Sequence, residues 1–144
     1  MSIQKHIPSL YIHIPFCISK CIYCDFNSIV MKSQIVDEYL NGIENELQAI
    51  NGKYSFTTVY IGGGTPTVLN EIQLSKLLNI ISKHVDVFNL KEYTIEVNPG
   101  TLNEEKIFAL KDSCIDRVSI GIQSFNDKYL KLLGRIHTAK EAKD

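Results

Sequence analysis

Glu92-Tyr93-Thr94-Ile95-Glu96-Val97-Asn98-Pro99-Gly100 is the stretch on which the fold turns. Its first six residues read as a β-strand, and Asn98-Pro99-Gly100 closes it as a turn. Side chains alternate along a strand, so Tyr93, Ile95 and Val97 share one face while Thr94, Glu96 and Asn98 share the other. Strands of a parallel sheet covered on both faces read as near-continuous apolar runs, and this one does not. A carboxylate such as Glu96 cannot face a dry core unpaired. One face of the sheet therefore lines a polar cavity. In a β/α barrel that face is the lumen, and the site lies at the C-terminal ends of the strands.

The pattern extends in both directions. A short strand over 10–14 stops at Pro15, and 15–32 reads as an irregular loop. Ser33 is expected to cap a helix over 34–50, whose apolar positions fall at helical spacing. A strand over 56–61 runs into Gly62-Gly63-Gly64, and Asn70 is placed to cap the next helix. Asn103 is placed to cap a third helix, a fourth strand covers 117–123, and a short helix over 127–133 ends at Gly134. Thr138 looks like the cap of one more helix. In the fourth strand Val118, Ile120 and Ile122 oppose Arg117, Ser119, Gly121 and Gln123, so its polar face repeats that of the third. About four β/α units in series predict an α/β fold with a parallel sheet, as a partial barrel. Four units do not close a barrel. Residues 1–144 are thus expected to be the N-terminal part of a barrel domain, with the rest of the barrel and a C-terminal domain absent. A fragment, a truncated gene product and one piece of a split protein are all compatible with that reading.

Charge excludes some functions. Fifteen Lys+Arg balance sixteen Asp+Glu, for a net charge of -1, and no basic patch points to nucleic acid. No apolar run is long enough for a membrane span, so membrane association is expected only through partners. The N-terminus does not read as an export signal, since His13 and Pro15 interrupt its short apolar stretch.

The four cysteines are Cys17, Cys21 and Cys24 together and Cys114 far away, a poor framework for disulfides. Metal binding in a reducing cytoplasm is the better reading. Cys17-x3-Cys21-x2-Cys24 supplies three soft thiolates on one loop. Structural zinc normally takes four protein ligands, so a zinc site would need His13 or a remote residue. Three thiolates on a [4Fe–4S] cluster would instead leave one iron open to a small molecule. Spacing alone leaves both possibilities standing. Cys114 reads as a small buried hydrophobe, His6 and His84 as surface residues, and His13 and His137 have no role derivable from sequence.

Gly62-Gly63-Gly64-Thr65-Pro66-Thr67 follows a strand, and glycines let a backbone approach a ligand and expose its N–H and C=O groups. Glu96 and Gln123 stand at matching places on the third and fourth strands. Each could equally belong to a core hydrogen-bond network, and Arg135 could be a surface charge at a helix end.

Taken together, Tyr11-x-His13-Ile14-Pro15-Phe16-Cys17, Cys21-x-Tyr23-Cys24, Gly-Gly-Gly-Thr-Pro-Thr, Glu-Val-Asn-Pro-Gly, Gly-x-Gln-Ser-Phe and Gly-Arg-x-His resemble the radical S-adenosylmethionine superfamily. Within it they are similar to the group of oxygen-independent coproporphyrinogen III oxidases and HemW-type heme chaperones, from Tyr11 to His137. The resemblance implies a [4Fe–4S] cluster on Cys17, Cys21 and Cys24. It further implies S-adenosylmethionine on the open iron, cradled by Tyr11, Tyr23, Gly63, Gly64, Thr65, Glu96, Gln123 and Arg135. Reductive cleavage of that cofactor by an electron from a donor protein is the chemistry of the superfamily.

The two branches part just after the third cysteine. The oxidase pattern carries a further cysteine two residues on, and Phe26 stands there instead. That departure favours the chaperone branch, in which heme is bound and delivered to apo-proteins such as respiratory enzymes. It counts against the conversion of porphyrin propionates to vinyl groups. No residue is assigned a catalytic role from the sequence.

Overall fold

The computed structural model describes residues 5–143. Ten strand residues, β1 (Lys5–Ile14), lead into two short strands within the cysteine loop, β2 (Phe16–Cys17) and β3 (Ile29–Val30). Then follow α1 (Ser33–Ile50), β4 (Tyr54–Gly63), α2 (Glu71–His84), β5 (Glu92–Val97), α3 (Glu104–Asp112), β6 (Arg117–Ile120) and α4 (Asp127–Leu132). The main sheet has the order β1-β4-β5-β6, and every pairing is parallel. A helix follows each of these strands except that the cysteine loop intervenes before α1. The expected α/β architecture of four parallel units is the one observed.

One sheet face is apolar. Ile12, Ile14, Val59, Ile61, Tyr93, Ile95 and Val97 are buried against Val36, Leu40 and Leu47 of α1, Leu74, Leu77, Leu78 and Ile81 of α2, and Leu110 of α3. Burial of this surface is the main drive for the sheet to take up its helices. Register brings Tyr11, Tyr60, Thr94 and Arg117 into line across the opposite face. The alternation expected for the third strand is thus present, with Glu96 on the polar side.

Several boundaries differ from expectation. β1 begins at Lys5 rather than at residue 10, and carries Pro8. Proline cannot donate to a ladder, and β1 tolerates it because it pairs only with β4. The residue capping α1 is Lys32, without a side-chain hydrogen bond, so Ser33 is the first helical residue and not the cap. Asn70 and Asn103 cap α2 and α3 as expected, the first in a reciprocal arrangement with Gln73. Gly134, at φ +73°, ends α4. Thr138 and Glu141 cap one another at the start of the last turn. The fourth strand stops at Ile120 instead of Gln123. Ile122 N–H donates to Ile120 O and Ser124 N–H to Ile122 O, a tightly wound segment that places Gln123 at φ +69°. The cysteine loop is less irregular than expected: Ile29 N–H donates to Pro15 O and Met31 N–H to Cys17 O, which closes the loop on itself.

Candidate cluster and cofactor site

The cysteine loop leaves β1 at Pro15 and returns through Asn27. His13 ties its two ends together. The carbonyl of Asn27 only accepts, so His13 Nε2 donates to it at 2.8 Å, and Nδ1 is left to accept from the Tyr11 hydroxyl at 3.2 Å. Gly63 lies against the same imidazole. It has φ +116°, and a Cβ there would stand 2.5 Å from the ring. The histidine therefore holds the cysteine loop and the glycine loop in contact, a role its sequence context did not reveal.

The glycine loop is bound to the first strands by backbone. Gly64 N–H donates to Ile14 O at 2.8 Å and Thr65 N–H to Phe16 O at 2.7 Å. Gly63 N–H donates to Glu96 Oε2 at 3.0 Å, and the other carboxylate oxygen accepts from Tyr60 at 2.7 Å. Gly62 lets this carboxylate lie flat on the sheet, since a Cβ there would meet Glu96 Cδ at 2.9 Å. All three N–H groups are spent inside the protein. Thr65 O in turn accepts from Val68 N–H at 3.0 Å, so it is the backbone of Gly63 and Gly64 that is left with carbonyl oxygen to offer a ligand.

These loops enclose a cavity of about 290 Å³. Cys17, Cys21 and Cys24 line it together with Tyr23, Gly63, Gly64, Thr65, Glu96, Gln123 and Arg135. Five stretches far apart in the chain thus meet in one place, at the C-terminal ends of β1, β4, β5 and β6. Tyr11 lies outside this lining and is 54% exposed. Its ring stacks on Tyr60 at 6.0 Å, and so touches Glu96 only through its neighbour.

Arg135 brings the positive charge. Its Nη1 donates to Cys21 Sγ at 3.5 Å, and its Nη2 to Asn98 Oδ1 at 2.7 Å and to Gly121 O at 2.6 Å. Its Nε is buried with no protein partner, so the guanidinium retains a donor. Burial raises the Tyr23 hydroxyl above the usual tyrosine range, although the Arg135 charge pulls the other way. Around the mouth Ile18, Phe26 and Ile136 present apolar surface, with Phe26 62% exposed. Asn98 and Thr101 also line the cavity and were not singled out from sequence. The sequence placed Asn98 on the polar face of its strand and within the Glu-Val-Asn-Pro-Gly motif, but gave it no role of its own.

Three thiolates, one carboxylate and one guanidinium suit a soft metal group plus a charged organic ligand. Among the described residues no three His, Cys, Asp or Glu side chains sit as ligands of a single metal ion. A cluster takes each thiolate on a different iron and so accepts a wider spread of sulfurs.

A sequence model of the radical SAM superfamily matches residues 11–144. The chain belongs to that superfamily. It is 44% identical over 136 residues to the heme chaperone HemW of Lactococcus lactis, across 94% of this chain and 36% of that protein. With the heme chaperone HemW of Bacillus subtilis it shares 45% over 137 residues, across 92% and 36%. An oxygen-independent coproporphyrinogen-III oxidase-like protein of Bacillus subtilis, HemZ, is 39% identical across 92% of this chain and 28% of its own length. The solved coproporphyrinogen III oxidase (HemN) of Escherichia coli, a radical SAM enzyme, superposes with a TM-score of 0.81 at 29% identity, over 96% of this chain and 33% of the oxidase. The chain spans about a third of the length of these curated relatives. Among the described residues no helix is long and apolar enough to cross a membrane.

Proposed function

We propose that this chain is the cluster- and S-adenosylmethionine-binding part of a HemW-type heme chaperone. The observation that carries the reading is the convergence of Cys17, Cys21 and Cys24 on one cavity with the glycine loop, Glu96, Gln123 and Arg135. In this reading the three thiolates hold a [4Fe–4S] cluster. The carbonyl oxygens of the glycine loop would accept from the cofactor's ammonium group, and the Arg135 guanidinium would supply the positive charge for its carboxylate. Glu96 is held rigid by Tyr60 and Gly63, and Tyr11 backs that arrangement through its stack on Tyr60. Tyr23 and Gln123 close the sides of the cavity. When bound and reduced, the cluster supplies one electron to the sulfonium of S-adenosylmethionine, and an electron-donor protein must replace it.

Heme is the proposed cargo, passed on to heme-accepting apo-proteins in the cytoplasm. The apolar rim of Ile18, Phe26 and Ile136 supports this, because a flat apolar ligand seeks such a surface beside a polar cavity. Phe26 at the place of the oxidase's extra cysteine favours it over porphyrin decarboxylation. The oxidase reading keeps one specific support, the superposition on the coproporphyrinogen III oxidase.

Anaerobic reconstitution with iron and sulfide tests the proposal, followed by electron paramagnetic resonance of the reduced sample with and without S-adenosylmethionine. A [4Fe–4S] signal that changes on adding the cofactor is expected, and triple replacement of the cysteines by serine should abolish it. Hemin titration should give a Soret shift that weakens in F26D. Zinc binding without iron or labile sulfide would overturn the reading, and conversion of coproporphyrinogen would move it to the oxidase branch.

A further inference from the structure

We infer that Asn98 is a positioning residue that orients hydrogen-bond donors onto two of the three thiolates at once. The inference rests on the cluster reading above and concerns how the protein tunes that cluster.

Asn98 stands at the start of the turn after β5. Pro99 and Gly100 occupy its centre, Gly100 with φ +77°, and Thr101 N–H and Oγ1 both donate back to Asn98 O. The backbone of Asn98 is thereby fixed. Its side chain is fixed too. Arg135 Nη2 only donates, so the amide atom 2.7 Å from it must be Oδ1, which turns Nδ2 toward Thr65. Nδ2 then donates to Thr65 Oγ1 at 2.7 Å. A hydroxyl has one proton. Because Oγ1 accepts from Asn98, that proton stays free, and Thr65 directs it to Cys17 Sγ, 3.9 Å away. The same arginine directs Nη1 to Cys21 Sγ at 3.5 Å. The direction of donation along the whole path, from Arg135 through Asn98 and Thr65 to sulfur, is set by one primary amide. Room for it is reserved by Gly121, where a Cβ would stand 2.6 Å from Asn98 Oδ1.

An aspartate at this place has nearly the same shape and the opposite effect. It could only accept, so it would draw the Thr65 proton away from Cys17 while neutralising Arg135. Fewer hydrogen bonds to cluster sulfur and more negative charge both make reduction harder. Asn98→Asp is therefore expected to lower the cluster's reduction potential without emptying the site.

The experiment is a potentiometric titration of the anaerobically reconstituted chain, with iron content and far-UV circular dichroism measured alongside. The clusters that N98D and T65V load should each titrate at a more negative midpoint than the wild type's, with iron content reported for each. T65S, which keeps the hydroxyl, should restore the wild-type value. In the N98D/T65V double variant the shift should be smaller than the sum of the two. A loaded N98D cluster with an unshifted midpoint, or additive shifts, would overturn the inference and leave the cluster reading intact. A wild-type chain that takes up no cluster would overturn both. Should N98D load poorly, urea denaturation of the cluster-free T65V, N98A and double variants decides it: non-additive losses are expected, and additive ones count against the coupling.

Discussion

Lys106 donates from its ammonium group to the backbone carbonyl of Thr67 at 2.9 Å. A second bond, at 3.0 Å, goes to Thr101 O. The lysine is only 9% exposed, and burial pulls its amine below the usual lysine range. It clamps the glycine-loop segment to the turn that carries Asn98, beneath the floor of the cavity.

Replacing Lys106 by methionine keeps the aliphatic stem and removes the donors. Two buried carbonyls then lose their partner, and each unsatisfied group costs about 1–3 kcal/mol. Urea denaturation of K106M should show a loss of about 2–6 kcal/mol for the two together, and reconstituted K106M should hold less iron than the wild type.

Two glycine-to-alanine changes should act in opposite directions. At Gly64 a Cβ would stand 2.6 Å from Phe16 O and 2.9 Å from the carbonyl carbon of Pro15, both backbone and unable to swing aside. G64A should cost about 1–3 kcal/mol, as overpacking does. Gly42, inside α1, has nothing within 4 Å of its Cβ position. G42A should gain up to about 1 kcal/mol from helix propensity. Thermal melts of the two variants against the wild type check both signs.

His137 makes stability depend on pH. Its Nε2 donates to Ile122 O at 3.1 Å, and its Nδ1 is buried without a partner. Burial, helped by the Arg135 charge, lowers its pKa below the ordinary 6.5. The unfolded chain takes up this proton first as pH falls. The stabilisation is therefore complete above about pH 6.5 and is lost as pH drops toward the folded-state value. Denaturation midpoints should fall across that window, and H137Q, which keeps a donor for Ile122 but cannot titrate, should flatten the slope.

At the start of α2, Asn70 Oδ1 accepts from Gln73 N–H at 2.9 Å while Gln73 Oε1 accepts from Asn70 N–H at 3.1 Å. Loss of such a cap costs about 1 kcal/mol. N70A should show that loss in urea without changing iron uptake, because α2 lies on the far side of the sheet from the cavity.

Alternation in β5 was enough to read the polar face, because Glu96 has no other place to go. The capping residues of α2 and α3 were legible for a similar reason: short polar side chains immediately before an apolar periodicity. Where sequence reading went astray, the deciding forces were non-local. The first strand was read only over 10–14, yet β1 begins at Lys5 and runs through Pro8 because β4 supplies the pairing. The residues 117–123 alternate like one strand, yet the chain winds tightly after Ile120 and puts Gln123 into a left-handed conformation. Cys114 also has positive φ, which nothing in its neighbours announces. Asn98 and Lys106 were passed over because a turn and a helical lysine each have an ordinary explanation. Only the packed structure shows one held by Arg135 and the other by two carbonyls.

The bond from Arg135 to Cys21 joins residues 114 positions apart. A ribosome adding about 5–20 residues per second needs roughly 6–23 s to travel that far. β1, similarly, waits for β4 before it has anything to pair with. The thiol of Cys21 is thus made well before the arginine that comes to lie against it. The thiol's exposure to oxygen and stray metal is longest during biosynthesis, and a delivery system for iron and sulfide would find the finished pocket only after the nascent chain has passed residue 135.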